Sequence, residues 1–421
     1  MRLQLELGKA PKVSLRDALH GAALALLIIP ATAQAQSTPS DRIDVTSLLY
    51  GEQGRTEVVE PVVRFTHLLP DGQSVSAQLA FDVITGASPS GALPSGTVQT
   101  RTSASGHVIT SKAGQIPVAP FHDERVELEG TWHKPLNRLI SSDLGFHVSR
   151  EKDYQSLGVN AKVSTELMRR LLTVTVGGGV SHDTVFPTGG TPAGLSDGTI
   201  VKLGSNAKNV TNVLLGASRI VSRQWLVAVN GTETLERGYL TEPYKVISIM
   251  SHVNGTPIGE LTDKRPSTRN RSAVLLSSVY HLTDDVLYTS YRYYWDTWSI
   301  RSHTIDLKYR HDLGDDSYIE PLLRYYQQSA ASFYTVGFVE GATLPDFATS
   351  DYRLGRLRTI TAGATYSFRP DFATGEFTVR GQYMRQFGNG SPSNAIGIQR
   401  NFDLSPPVNI VAVVLGYSFD Y

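Results

Sequence analysis

The chain has no cysteine among its 421 residues, which excludes disulfide stapling, a thiol nucleophile and a cysteine-ligated metal. An excess of one charge is missing too. Its 39 basic residues are matched by 39 acidic ones, so there is no basic footprint for nucleic acid. Methionine is scarce at 4 copies, and charged residues make up only 19% of the chain. After Gln36 no run of 18 apolar residues occurs, so no transmembrane helix is expected. Catalytic signatures are lacking as well. The 11 histidines include no His-Glu-x-x-His pair, and there is no Gly-x-Ser-x-Gly elbow. Gly177-Gly178-Gly179 lacks the Lys-Ser/Thr of a phosphate loop and reads as a strand segment that lets neighbours approach. Asp312, Asp315, Asp316 and Glu320 miss the EF-hand spacing and read as a solvated turn. No metal or cofactor is expected, and no catalytic residue is assigned.

Tyrosine (19 copies) and glycine (37 copies) are plentiful, a balance that favours strands and turns over helical packing. The first 35 residues stand apart. Arg2, Lys9, Lys12 and Arg16 form a positive segment, Ala22 to Ile29 a short apolar core, and Ala33-Gln34-Ala35 a small-residue cleavage site ahead of Gln36. The core is too short to cross a bilayer of about 30 Å as a helix. Residues 1–35 therefore read as a cleaved export signal and 36–421 as one domain. Removing the signal leaves 35 basic and 37 acidic residues, a net charge of −2.

Period-two alternation recurs through the rest of the chain. Val75, Ala77, Leu79, Phe81 and Val83 alternate with polar or small residues; so do Leu157, Val159, Ala161 and Val163, and Phe377, Val379, Gly381 and Tyr383. Such segments are near the 9–11 residues, roughly, that a tilted strand needs to cross a bilayer. Alternation also suits a soluble sandwich, so connection lengths must decide. Strands are expected near 42–50, 58–69, 74–84, 125–134, 142–151, 154–165, 171–182, 210–221, 225–235, 271–282, 285–295, 299–310, 317–328, 357–368, 376–387 and 410–421. Every long connection between them then falls on the same side, as in barrels with short periplasmic turns and long extracellular loops. The expected fold is all-β: a transmembrane antiparallel up-and-down β-barrel of about 16 strands, within a range of 14 to 18. The upper limit allows for an extra hairpin around Tyr244–Ser251. Aromatic residues near strand ends (Tyr50, Trp132, Trp225, Tyr280, Trp295, Trp298, Phe368, Phe387, Tyr421) are candidates for two interfacial girdles.

Val411, Val413, Leu415, Tyr417, Phe419 and Tyr421 place an apolar or aromatic side chain at every second position of the C-terminus. This strand resembles the terminal recognition strand of outer-membrane proteins. The resemblance implies delivery to the barrel-insertion machinery, with Tyr417, Phe419 and Tyr421 needed for assembly in the cell outer membrane. Two further stretches carry a family resemblance: Gly238-Tyr239-Leu240-Thr241-Glu242-Pro243-Tyr244-Lys245-Val246-Ile247-Ser248, and Tyr291-Arg292-Tyr293-Tyr294-Trp295-Asp296-Thr297-Trp298 followed by Ser302-His303-Thr304. They resemble a family of exported Gram-negative proteins catalogued as a domain of unknown function, number thirty-five-seventy. The resemblance covers nearly all of the mature chain and implies an outer-membrane barrel. It brings no activity, substrate or functional residue with it.

Strand parity assigns a lumen. With Ile305, Leu307 and Tyr309 towards lipid, Asp306, Lys308 and Arg310 point inward, and the same count turns Arg292, Glu320, Arg324 and Arg380 inward. A lysine or arginine on the lipid face near the midplane would cost about 2–4 kcal/mol, so these charges require a wet or internally paired interior. The leading functional expectation is a pore or transport barrel for small hydrophilic solutes, with weak ion selectivity because both signs occur. The second is a structural or scaffold barrel that binds a periplasmic or extracellular protein. The third is an outer-membrane hydrolase whose residues come together from separate strands. Residues 85–124, rich in Gly, Ser, Thr and Pro, are the expected plug. Intact-mass measurement of membrane-extracted protein should give a chain beginning at Gln36; a mass that retains Met1 would contradict the export reading.

Overall fold

The computed structural model describes residues 41–102, 108–314, 316–388 and 395–421. The expected signal, with its cleavage site at Ala33, Ala35 and Gln36, lies outside the described residues. Sixteen antiparallel strands close into a barrel. They are β1 (Arg42–Glu52), β2 (Thr56–Leu68), β3 (Ser74–Pro89), β4 (Val118–Pro135), β5 (Ile140–Arg150), β6 (Tyr154–Leu167), β7 (Leu172–Val185) and β8 (Asn206–Ser222). Then follow β9 (Trp225–Gly238), β10 (Thr268–His281), β11 (Asp285–Asp296), β12 (Arg301–Asp312), β13 (Ser317–Gln328), β14 (Leu357–Phe368), β15 (Glu376–Phe387) and β16 (Val408–Asp420). Each strand pairs with its chain neighbour, and β1 pairs with β16 from Arg42↔Asp420 to Glu52↔Ile410. That seam leaves no free sheet edge.

One face of every strand is apolar because it meets lipid. Leu79, Leu157, Leu215, Ile305 and Leu323 are large, hydrophobic and exposed, an arrangement a soluble sheet could not sustain. Charged residues of the same parity, such as Glu57, Arg237, Arg301 and Arg358, sit at the outer ends of their strands, clear of the hydrocarbon. The outer face is thus an apolar belt between polar rims, and the protein is an outer-membrane barrel. Both ends of the barrel chain, Arg42 and Asp420, lie at one rim, together with the short turns 69–73, 136–139, 168–171, 223–224, 282–284, 313–316 and 369–375. This rim is periplasmic by the asymmetry of such barrels.

Aromatic rings mark the periplasmic edge of the belt. From Tyr366 a line of contacts runs through Phe368, Phe377, Tyr417, Phe419 and Tyr421 to Phe65, with neighbouring centroids 4.5–6.5 Å apart. It crosses the β1–β16 seam. At the outer edge Tyr293 packs on Trp295 at 5.4 Å and on His303 at 5.1 Å. Two of the expected girdle residues turn inward instead. Tyr50 packs against the cluster of Val58, Ile84, Ala119 and Phe121, and Trp298 is buried with Ile300, Ala331 and Leu354. Both lie at the outer mouth, where buried loops give an aromatic ring a drier partner than the interface does.

Two expected boundaries also shift. β3 runs on to Pro89 and β4 starts at Val118, so the long connection is 90–117 rather than 85–124. The added residues rise beyond the lipid, where their outward positions need not be apolar and the alternation fades. The hairpin expected around Tyr244–Ser251 does form, from Val246–Met250 and Pro257–Thr262, but it belongs to a separate three-stranded sheet, and the barrel stays at sixteen. Deleting Phe419–Tyr421 should remove the ring line at the seam and expose a sheet edge. The expected result is loss of outer-membrane protein and of its heat-modifiable gel band; normal levels of both would show that the C-terminal rings are dispensable.

Candidate functional site

The outer ends of the strands are joined by eight connections, and these converge on one cap in the barrel mouth. Its centre is the sheet of Val246–Met250, Pro257–Thr262 and Phe338–Val339, the last strand parallel to the first. Ile247, Met250 and Thr349 are fully buried. The neighbouring connections bind this centre by specific contacts. The Leu93 amide donates to Ser248 Oγ at 2.9 Å, the Leu195 amide to the Thr262 carbonyl at 3.1 Å, and the Tyr244 hydroxyl to Asp153 at 3.0 Å. Gln399 Nε2 donates to the carbonyls of Pro94 and Gly255 at 2.8 and 3.0 Å. The Ser332 amide bonds the Trp298 carbonyl, and the Arg55 guanidinium lies 5.0 Å over the Tyr352 ring. Gly91 has φ +95°, and a Cβ there would collide with Ser350 Oγ and the Val246 carbonyl, so only glycine lets connection 90–117 approach this closely. The plug expected from 85–124 alone is therefore a composite whose core comes from 239–267 and 329–356.

A charged cluster is buried inside the cap. Arg265, 1% exposed, pairs with Asp263 at 3.1 Å and with Asp351 at 2.9 Å. Arg353 pairs with the same Asp351 at 2.6 Å and with Glu242 at 3.5 Å. The Thr349 hydroxyl donates to Asp263 at 2.5 Å. Lys245 Nζ donates to the Pro89 carbonyl at 2.5 Å and to Ser88 Oγ at 3.0 Å, tying the cap to the end of β3. Three cations thus meet three carboxylates with no net charge, the condition under which buried ions are tolerable. Burial raises the Asp263 carboxyl and would raise that of Asp351, but Arg353 and Arg265 hold Asp351 well below the usual carboxylate range. Burial pushes Lys245 down to about 8, against the pull of Asp351.

Below the cap the inward face is polar and solvated. The seven charges expected in the lumen alternate along their strands with exposed apolar residues such as Tyr291, Ile305, Leu307, Leu323 and Val379. Asp306 pairs with Arg324, Lys308 with Glu320 at 3.4 Å, and Arg310 with Asp312 at 2.8 Å while stacking on Tyr318 at 3.8 Å. Arg292 lies 5.8 Å over the Tyr294 ring, Arg380 donates to Thr365 at 3.0 Å, and neither makes an ion pair among the described residues. Arg324 sits halfway along β13 and still exposes 52% of its side chain, so water reaches that depth. Other inward residues around the ring were not singled out by the sequence reading. Arg125 pairs with Asp82 and with Glu127 at 2.9 Å, and Gln78 links Arg64 to Glu129. Lys208 bridges Asp183 and Glu236 at 3.6 Å each, and Arg271 pairs with Glu236 at 3.0 Å. Strand parity was the available signal for all of them.

Two constellations bear on chemistry. Asp123, Glu151 and Asp153 bring carboxylate oxygens within 4.8 Å of one another at the outer mouth, a spacing that could hold a cation. His147 Nε2, Ser156 Oγ and Asp183 also meet, at 3.2 and 2.7 Å. Here the serine donates to the aspartate, so its only proton is not offered to the imidazole, and Ser156 is buried. This order is not that of a catalytic triad, in which the carboxylate orients the histidine.

The Lys245 shift sets a pH dependence. In the closed cap it loses its proton near pH 8, and in an opened cap near its ordinary 10.5. Between these values the open form binds more protons, so closure strengthens as pH rises; below about 8 both forms are protonated and the contribution is level. Tyr334 and Tyr352, pushed up to about 12 by burial, oppose this only above their ordinary value of 10.0. Amide-exchange protection of residues 246–262, corrected for intrinsic rates, should climb from pH 8 to pH 10 and be flat over that range in Lys245→Met. A fall in the unaltered protein would contradict the assignment.

Among solved structures, the chain is similar to the siderophore receptor PirA from Acinetobacter baumannii, with 9% identity over 91% of this chain and 60% of that one, at a TM-score of 0.43. It is similar to the toluene transporter TodX of Pseudomonas putida, with 9% identity over 94% and 93% of the two chains, at 0.42. A third is OccK2 (OpdF) of Pseudomonas aeruginosa in complex with glucuronate, with 8% identity over 90% and 98%, at 0.40. The chain spans about 60% of the length of the siderophore receptors it matches. No curated protein sequence matches it. The family described as protein of unknown function (DUF3570) matches residues 16–419, and the chain belongs to that family.

Proposed function

We propose that the protein is a gated transport barrel for small hydrophilic solutes, seen with its outer mouth closed and its lumen open to the periplasm. One contrast carries this reading: the outer lumen is filled by a cap around a neutral charged cluster, whereas Arg324 at mid-barrel is solvated. A barrel of about 16 strands is wide enough for an aqueous channel, whereas about 8 strands would be filled by their own side chains. A cap built from connections rather than strands can move without breaking the sheet. The second reading, a closed scaffold that binds an envelope protein, is favoured by the buried ion pairs that hold the cap in one position. The hydrolase reading gains nothing from His147, Ser156 and Asp183 as they are arranged.

Planar-bilayer recording separates the first two. The unaltered barrel should be mostly silent with brief openings. Arg265→Ala leaves Asp263 and Asp351 short of a buried partner, a loss of about 3–5 kcal/mol that falls on the cap and not on the sheet. It should open the barrel at least about tenfold more often. In that background Arg324→Glu or Arg292→Glu should shift the reversal potential towards cations. If both proteins run as folded, heat-modifiable species and neither conducts, the transport reading fails and the scaffold reading takes its place.

A further inference from the structure

The inward charges are not mixed evenly around the lumen. In a closed ring of sixteen strands β2, β3 and β4 face β10, β11 and β12. The inward face of β2–β4 carries five acidic side chains, Glu60, Asp82, Asp123, Glu127 and Glu129, against two basic ones, Arg64 and Arg125. The inward face of β10–β13 carries Arg269, Arg271, Arg292, Lys308, Arg310 and Arg324 against Asp296, Asp306, Asp312 and Glu320, an excess of two positive charges. The residues left over after local pairing lean the same way. On the acidic side Glu60, Asp123 and Glu129 make no ion pair among the described residues, against one unpaired cation, Arg64, which Gln78 links to Glu129; on the facing side Arg292 makes none. Glu60 stands beside Asp82, whose guanidinium partner Arg125 is already shared with Glu127.

We infer that this barrel takes zwitterionic solutes whose ammonium and carboxylate groups lie at separate ends, short peptides being the natural class. Opposite charges on facing walls produce a field across the lumen rather than along it. A monovalent ion gains at one wall what it loses at the other. A solute with a separated ammonium and carboxylate gains at both, if its ammonium turns to β2–β4 and its carboxylate to β10–β13. The low dielectric of the surrounding protein strengthens that preference relative to bulk water. Tyrosines 288, 294 and 318 on the basic wall lie under Lys308, Arg292 and Arg310 and hold these cations against the inward face. The inference names the substrate class of the transport reading and rests on it for passage, but binding from the open periplasmic side needs no cap movement.

The test is therefore equilibrium binding by isothermal titration to the full-length barrel in detergent, with three probes of nearly equal size: dialanine, N-acetyl-dialanine and dialanine amide. Dialanine should bind at least about fivefold more tightly than either singly charged relative. Glu60→Gln with Glu129→Gln should abolish its advantage over the N-acetyl anion, and Arg292→Gln its advantage over the amide cation. Equal binding of the three probes, preference for a singly charged one, or no binding to the folded unaltered barrel would each overturn the inference, and this comparison stands even if a variant fails to fold. Flux of a neutral polyol through Arg265→Ala proteoliposomes reports on the transport reading separately. Polyol flux without dialanine preference would sink this inference alone, and dialanine preference without flux would sink the transport reading alone.

Discussion

Closure of the sheet between β1 and β16 is the constraint from which the rest of the molecule follows. In hydrocarbon no water can satisfy a bare backbone amide, so a spanning sheet must have no edge. An up-and-down sheet that closes between its first and last strands needs an even number of them to bring both termini to one rim. That rim receives only short turns, and the opposite rim receives every long connection. The same closure fixes side-chain parity. A residue that faces lipid on one strand has register partners that face lipid on its neighbours, so a one-residue slip anywhere would turn charged side chains into the bilayer. The ring line from Phe65 through Tyr421 to Tyr366 lies across this seam, where the sheet has to find its own beginning.

The cap answers to different physics. It is held by three cations and three carboxylates, Lys245, Arg265, Asp263 and Asp351 buried and Arg353 and Glu242 partly so, supported by small apolar clusters. Buried ion pairs of this kind add little net stability compared with an apolar core, but losing one member is costly. A cap built this way is specific in its closed position and sensitive to single changes. Lys245 adds a direct tether to the end of β3, so the cap reads the state of the barrel rim through one ammonium group. Below it, two oppositely biased walls give the lumen an orientation that net charge conceals, since the whole chain is neutral.

The barrel was legible in the sequence because its determinants are local and periodic. Alternations such as Val75–Val83 and Phe377–Tyr383 are set by lipid on one side and water on the other, and the connection lengths follow from topology. The inward parity of Asp306, Lys308 and Arg310 followed from the same count. The cap was not legible, because its contacts join residues far apart in the chain: Lys245 with Pro89, Arg265 with Asp351, Gln399 with Pro94. Its segments are rich in Gly, Ser, Thr and Pro and carry no period. Composition pointed to 85–124 as a plug, but could not show that 239–267 and 329–356 would supply the centre. Trp298 was misplaced for a related reason. A tryptophan at a strand end usually meets the membrane interface, and only the presence of Ala331 and Leu354 beside it makes the inward position better. The acidic side chains of β2–β4 follow from the same parity, and only the ring order of the closed barrel sets them opposite β10–β12.

The absence of cysteine permits a direct test of the central claim, a lumen closed on the outside and open to the periplasm. Ser290, on the inward face of β11 with its hydroxyl 3.4 Å from Asp306, is a site where a thiol would report access to the mid-lumen. Ser290→Cys should be modified rapidly by a bulky, membrane-impermeant maleimide applied from the periplasmic side of oriented membranes. The same reagent applied to intact cells should modify it at least about tenfold more slowly, and Arg265→Ala should remove that difference. Equal modification from both sides of the otherwise unaltered barrel, or faster modification from outside, would contradict the account.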